Sequence, residues 1–209
     1  RVGFKKMAAG VAQATKKSIN LKGSVDIVTE FFQYGINSIL YQRGVYPPET
    51  FTRVQKYGLT ILVTADPELK TYLSEFLKQI REWLMEKTVQ KIVVIISSVD
   101  SGEALERWQF DIECDEKVTK NSAPKEVNEQ EINNGIMAVI RQITASVTFL
   151  PLLEGACSFN LKVYTDKDVE VPNHWGETGP SFIANSQEVR LRSFTTTIHK
   201  VDAMVAYKS

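Results

Sequence analysis

Cysteine and histidine are scarce in this chain, with two of each among 209 residues. Cys114 and Cys157 cannot form a disulfide framework on their own, which favours a reducing, intracellular location. His174 and His199 lie at no spacing typical of a metal site, and the eleven glycines form no phosphate-binding or nucleophile motif. We therefore expect no cofactor and interpret the chain as a binding protein rather than an enzyme. A thiol or metal site built on the two cysteines is the distant alternative.

The sequence also lacks an excess of charge of either sign, since 25 Lys and Arg residues balance 25 Asp and Glu residues. Such a chain has no electrostatic field that would draw it to nucleic acid or to an anionic membrane. Its longest apolar runs, such as Ile92 to Ile96, are far too short to cross a bilayer. A protein or a small molecule is therefore the expected partner.

Capping residues and apolar periodicity predict a mixed α+β domain. The predicted elements are helices over 24–44, from Asp66-Pro67 onward and over about 129–150, a strand over 57–64, and a hairpin of 91–99 with 104–114. Residues 1–18 are interpreted as a flexible N-terminal segment, of which residues 1–6 are a non-native extension before Met7. Residues 19–209 are interpreted as one domain.

The third predicted helix presents two different faces. Its core stripe consists of Ile132, Ile136, Val139, Ile140, Ile143 and Val147. At 100° per residue, the opposite face consists of Ala138, Arg141, Gln142, Ala145 and Phe149. Either the helix is buried on both sides, or the second face is an interface, because Arg and aromatic side chains are enriched at binding hot spots.

The last third of the chain, from Gly155, contains two β-rich runs separated by a loop with two Pro, two Gly and Trp175. The runs cover residues 157–165 and 189–201. Apolar residues change parity along the second run, which predicts a bulge or break near Ser193 and another near Lys200. The run is either an ordinary irregular edge strand or a segment that pairs in more than one register, as a switch requires.

Long stretches of the sequence resemble the HORMA proteins of the spindle checkpoint. These stretches are Phe31–Pro47, Phe51–Thr60, Leu105–Cys114, Arg141–Glu154, Glu188–Val201 and Met204–Lys208. The resemblance implies a HORMA domain, with three helices packed on an antiparallel β-sheet and a mobile C-terminal "safety belt" formed by residues 155–209. In the family, the belt closes over an extended client peptide that adds to the sheet as a strand.

The resemblance also implies partners and a location. The expected clients are a peptide of the activator of the anaphase-promoting complex and a coiled-coil kinetochore recruiter, and capture of the activator delays anaphase. Self-association of an open and a closed copy is expected, as are contacts with the checkpoint pseudokinase, the comet-type HORMA antagonist and an AAA+ remodelling ATPase. The implied location is the nucleus, the kinetochore and the cytoplasm. The alternative within the same fold is a HORMA adaptor of DNA-repair polymerase or meiotic axis complexes.

Carried over residue by residue, the resemblance predicts three groups of functional positions. The client-peptide and belt residues are Phe159, Leu161, Trp175, Phe194, Thr196, Ile198, His199, Val205 and Tyr207. The dimer-interface residues are Arg141, Gln142 and Phe149, which lie on the second face of the third helix. Leu21 corresponds to a position linked to the conformational switch. Ala203 stands where relatives often carry a phosphorylatable Ser, so the chain departs from the family there.

Overall fold

The computed structural model describes residues 16–208. Residues 1–15 and 209 lie outside the described residues, and with them the predicted non-native extension and most of the predicted flexible segment. Strand β1 (Lys16–Ile19) opens the described part and pairs with β6 (Lys125–Asn128). Within the described residues, β1 thus begins three residues before the predicted boundary at residue 19.

Within residues 16–208, three α-helices form one layer: α1 (Leu21–Gln42), α2 (Pro67–Met85) and α3 (Glu129–Ala145). The sequence predicts the first helix from Ser24, a possible capping residue, but α1 begins at Leu21 and its cap is Asn20. The Asn20 side-chain oxygen accepts a hydrogen bond from the Gly23 backbone N–H at 2.9 Å. The start of α2 is confirmed, with the Asp66 carboxylate accepting from the Leu69 N–H at 2.8 Å. None of the helices within residues 16–208 is long and apolar enough to span a bilayer.

Helix α3 ends five residues earlier than predicted and continues as a 3₁₀ turn over Ser146–Thr148. The five core positions from Ile132 to Ile143 are buried, which confirms most of the predicted stripe. Val147, assigned to the same stripe, is 47% exposed. The change from 3.6 to 3.0 residues per turn rotates it away from the core, so that assignment was wrong.

The helices cover one face of a five-stranded antiparallel sheet in the order β7-β4-β5-β9-β8. Its strands are β4 (Val89–Ser98), β5 (Ala104–Cys114), β7 (Cys157–Thr165), β8 (Ser186–Thr195) and β9 (His199–Lys208). The predicted hairpin of β4 with β5 is confirmed. The predicted strand over 57–64 is the second half of a separate hairpin, β2 (Phe51–Lys56) with β3 (Leu59–Thr64). Tyr57 and Gly58 form its two-residue turn and both have positive φ.

The core lies between α1 and the sheet and is rich in aromatic side chains. The ring of Phe110 on β5 contacts Phe31 at 5.8 Å and Phe32 at 5.4 Å between centroids, both edge to face. Residues of β4 alternate, so that Ile92 and Val94 face the helices while Val93 faces the opposite side of the sheet. The side of the sheet that faces the helices is the helix face, and the opposite side is the open face.

The predicted single run over 189–201 is in fact the β8–β9 hairpin. The register of β8 shifts between Arg190 and Ser193, which confirms the predicted break near Ser193. The second irregularity is the hairpin turn itself, at 196–198, where Thr197 has a φ of 72°. The parity change of the apolar residues therefore has two causes, a bulge within β8 and a reversal of the chain.

Candidate functional site

Strand β7 is an edge strand with one unpaired side. It pairs with β4 along its whole length, and no other strand within residues 16–208 pairs with its outer side. Phe159 and Leu161 lie on the helix face, opposite Ile96 and Val94, while Lys162 lies on the open face opposite Val93. A long edge of this kind presents free backbone N–H and C=O groups, to which an added strand can bind.

The segment that follows β7, residues 166–185, is here called the crossing segment, because it leads to β8 at the far edge of the sheet. Its first half is anchored on the helix face through Trp175. The indole ring stacks on Phe76 of α2 at 5.7 Å and meets Trp83 edge to face at 4.9 Å. Such aromatic pairs add about 0.5–1.5 kcal/mol each beyond the burial of their area.

The second half of the crossing segment is anchored on the open face. The Lys162 ammonium donates hydrogen bonds to Thr178 Oγ1 at 3.1 Å, to the Gly179 carbonyl at 2.6 Å and to Ser181 Oγ at 2.5 Å. The Arg107 side chain on β5 donates to the Pro180 carbonyl at 3.3 Å. Because Trp175 lies on one face and Thr178 on the other, the chain passes around the free edge of β7 between them.

A cavity of about 220 Å³ lies between α2, β7 and the crossing segment. Tyr72, Phe76, Leu161 and Trp175 supply its apolar and aromatic wall, and Glu75 and His174 its polar groups. Burial raises the pKa of Tyr72, while a hydrogen bond with the Leu161 backbone acts in the opposite direction. A peptide paired with β7 would direct every second side chain into this cavity.

A buried polar cluster joins α1 to the β8–β9 turn, on the side of the sheet away from β7. Ser24 Oγ lies 2.5 Å from Thr196 Oγ1 and 2.7 Å from His199 Nδ1, and the His199 backbone N–H donates to Thr196 Oγ1 at 2.9 Å. His199 is 1% exposed, and its Nε2 has no hydrogen-bond partner among the described residues. Burial, and secondarily the charge of Lys87, lowers the pKa of His199 to about 4, so the ring is neutral at pH 7.

The predicted client and belt residues divide into two separate places. Phe159, Leu161 and Trp175 lie at the β7 edge, where the Phe159 ring also meets Tyr72 at 5.8 Å. The others lie on or beside β8 and β9, on the far side of β4 and β5 from β7. These others are Phe194, Thr196, Ile198, His199, Val205 and Tyr207. The structure does not bring them to the free edge, and all except Tyr207 are buried.

The buried members of this second group attach the β8–β9 hairpin to the helices. The Phe194 ring lies 4.8 Å from Phe31, and Gly135 on α3 lies directly against the Phe194 backbone. Leu21, predicted to act in the switch, is the first residue of α1 and is 2% exposed. Its position in α1 is three residues before Ser24, within the same helical turn.

The predicted dimer-interface residues lie at the surface. Arg141 is exposed, and Phe149 is 40% exposed beyond the end of α3. Gln142 is half-buried, because its Oε1 accepts a hydrogen bond from the Arg192 backbone N–H on β8 at 2.5 Å. The second face of α3 therefore faces outward, apart from its contact with β8.

Two groups that build the site were missed by sequence reasoning. Phe76 and Trp83 lie in the helix predicted from Asp66-Pro67 onward, and Lys162 and Arg107 lie in predicted strands, but no local pattern marked them as site residues. Burial raises the pKa of both Cys114 and Cys157, which lie on different strands. Among residues 16–208, no group of three or more His, Cys, Asp or Glu side chains is placed to hold a metal ion.

Comparison with known proteins identifies close relatives over almost the whole chain. Residues 24–199 match the HORMA domain family. The human mitotic spindle assembly checkpoint protein MAD2A is 64% identical over 193 residues, which cover 92% of this chain and 94% of that protein. MAD2A of Dictyostelium discoideum is 61% identical, covering 94% and 97%. A chain in the crystal structure of the mitotic checkpoint complex is 47% identical with a TM-score of 0.81, covering 90% of this chain and 99% of that one.

The comparison also finds more distant similarities. DNA polymerase zeta subunit 2 of Drosophila melanogaster is 28% identical over 68% of this chain and 70% of its own. C. elegans HTP-2, in a structure with the HIM-3 closure motif bound, has a TM-score of 0.69 at 12% identity, covering 91% and 92%. The second likeness shows a shared fold alone.

Proposed function

This chain belongs to the HORMA family, among its mitotic spindle checkpoint proteins, and on that basis we propose that it captures an extended client peptide at the free edge of β7. One observation carries the proposal: the crossing segment is anchored on both faces of the sheet and passes around an unpaired strand edge. A peptide strand added to β7 would form backbone hydrogen bonds and would lie inside this loop.

The lining of the cavity beside β7 favours a client peptide in which every second side chain is apolar. On the helix face these side chains would contact the aromatic wall formed by Tyr72, Phe76 and Trp175. Glu75 at the same wall favours a basic side chain in the client. We therefore propose that the client peptide combines basic and apolar residues.

The proposed clients are the activator of the anaphase-promoting complex and a coiled-coil kinetochore recruiter, and the proposed consequence is a delay of anaphase. Support comes from the related chain found in the mitotic checkpoint complex. The checkpoint pseudokinase, the comet-type antagonist, the AAA+ ATPase and a second copy of this chain are proposed as further partners. The proposed locations are the kinetochore, the nucleus and the cytoplasm. A repair or meiotic adaptor remains the alternative, with the weaker similarities described above.

The test is the release rate of a fluorescent peptide that carries the activator's motif. Trp175→Ala removes the anchor on α2, and we expect release to be at least tenfold faster, because two aromatic contacts are lost. Leu152→Ala is the control, since that side chain is 88% exposed and lies outside the crossing segment. Equal release from Trp175→Ala and the unaltered chain would refute closure around the peptide. Absence of binding by the unaltered chain would refute the client assignment.

A further inference from the structure

Lys162 has an unusual set of contacts for a lysine on a strand. Its ammonium carries three protons, and three acceptors of the crossing segment lie within 3.1 Å: Thr178 Oγ1, the Gly179 carbonyl and Ser181 Oγ. All three acceptors fall within four consecutive residues. The side chain thus binds a short piece of backbone and two hydroxyls at once, in place of the carboxylate that usually pairs with a surface lysine.

We propose that Lys162 is a positioning residue for peptide capture, which fastens residues 178–181 to the open face of the sheet and sets the rate at which the crossing segment opens. The inference rests on the proposed function, because its consequence is a longer lifetime of the bound peptide. Trp175 then holds the helix-face end of the loop, and Lys162 holds the open-face end.

The chain between the two anchors has little slack. Only three peptide units separate Trp175 from Thr178, and these extend at most about 10 Å. A peptide strand added to β7 needs about 4.8 Å in the plane of the sheet. With both anchors in place, the loop is therefore nearly taut around a bound strand. After release of Lys162, the residues from Thr178 toward the start of β8 at Ser186 are held on the open face by Arg107, through the Pro180 carbonyl at 3.3 Å.

The surroundings of Lys162 limit the strength of this contact. Burial, and secondarily the neighbouring charge of Arg107, lowers the pKa of Lys162 below its ordinary value, so the cation is partly disfavoured there. The three hydrogen bonds together therefore stabilise the closed segment by less than three times the free energy of one charged hydrogen bond. We expect an effect of roughly tenfold on opening, a size that leaves the segment able to open.

Lys162→Met tests the proposal, because Met keeps most of the length of the side chain and removes the charge and the donors. Lys91→Met is the matched control: Lys91 lies on the same face of the neighbouring strand, and its ammonium contacts Asp111 at 3.2 Å and the Tyr164 ring at 5.4 Å. Lys162→Arg keeps a donor and should restore much of the effect. The double variant Thr178→Val/Ser181→Ala removes two acceptors and should reproduce part of the loss.

Two measurements keep the inference separate from the proposed function. Cleavage after Glu177 by a glutamate-specific protease, without peptide, should become roughly tenfold faster in Lys162→Met and stay unchanged in Lys91→Met. Release of the bound fluorescent peptide should accelerate by a similar factor. Unchanged cleavage and unchanged release in Lys162→Met would overturn the inference. If the unaltered chain binds no peptide, the proposed function fails, while the cleavage rate still decides whether Lys162 fastens the segment.

Discussion

Helix α3 and strand β8 meet at Gly135, and a single methyl group there should disturb the closing hairpin. A Cβ added to Gly135 would lie 2.8 Å from Phe194 Cβ and 3.4 Å from Phe194 Cα. Phe194 is buried, with its ring 4.8 Å from Phe31, so the side chain cannot simply swing aside. We predict that Gly135→Ala forces β8 away from α3 and destabilises the β8–β9 hairpin.

The expected magnitude combines two opposing effects. Replacing Gly by Ala inside a helix stabilises it by about 1 kcal/mol. Overpacking a well-packed contact costs about 1–3 kcal/mol. The net change in the free energy of unfolding for Gly135→Ala is therefore between about zero and a loss of about 2 kcal/mol.

Gly35→Ala on α1 provides a matched control. Its added Cβ would come no closer than 3.6 Å to the Phe31 ring, which is an ordinary contact, so this variant should be about 1 kcal/mol more stable than the unaltered chain. The two variants should differ by about 1–3 kcal/mol in unfolding free energy. In a chain of this size, that separates their melting temperatures by roughly 3–9 °C.

Urea and thermal unfolding measure this difference, and hydrogen exchange shows where it arises. In Gly135→Ala, faster exchange should be concentrated in β8 and β9 and should spare β4. If Gly135→Ala proves as stable as Gly35→Ala, with equally protected β8 amides, then α3 does not pack against β8 as described.

Three further predictions concern other parts of the molecule. The pKa of His199 is about 4 in the folded chain and 6.5 in the unfolded chain, so the unfolded chain binds the proton more strongly. The free energy of unfolding should therefore fall as the pH drops below 6.5, by about 2–3 kcal/mol at pH 4.5. In urea unfolding at several pH values, His199→Asn should reduce this pH dependence, and an unchanged pH dependence would contradict the prediction. The buried Arg43 guanidinium contacts the buried Glu106 carboxylate at 2.5 Å. Arg43→Met removes that cation and leaves Glu106 with only the Trp108 Nε1–H donor, which should cost about 3–5 kcal/mol in unfolding free energy, most of it regained in Arg43→Met/Glu106→Gln. Equal stability of the single and double variants would exclude this cause. Arg141→Ala should leave peptide capture unchanged but weaken self-association roughly tenfold or more in sedimentation experiments, and an undiminished dimer would exclude the predicted interface.

Elements with strong local signals were predicted well from the sequence. Asp66-Pro67 sets the start of α2 through a side-chain cap, and the alternating apolar residues of β5 define its buried face. The start of α1 was not predicted, because Ser24 and Asn20 are equally good capping residues by local chemistry. The hydroxyl of Ser24 instead contacts Thr196, 172 residues later in the chain, which no local pattern reveals.

In the candidate site, too, some residues are indicated by local sequence patterns and others are not. Trp175 stood out in the sequence as a large apolar residue in a Pro- and Gly-containing loop, and the structure places it in an aromatic contact on α2. Lys162 did not stand out, because strand alternation shows which face a side chain occupies but not what covers that face. Phe194 and His199 were grouped with the client residues through family resemblance. Their distance from β7 follows from the strand order, which their sequence positions do not determine.

The loop around the β7 edge has a mechanical consequence for any protein bound there. A strand enclosed on all sides cannot leave sideways, so it must either slide out lengthwise or wait until one anchor detaches. Sliding is blocked when folded domains flank the bound stretch, since a domain is far wider than the gap left by a taut loop. For such a partner, tension applied along its chain would press on the crossing segment rather than peel it away. The complex would then last as long as the weaker of the two anchors holds.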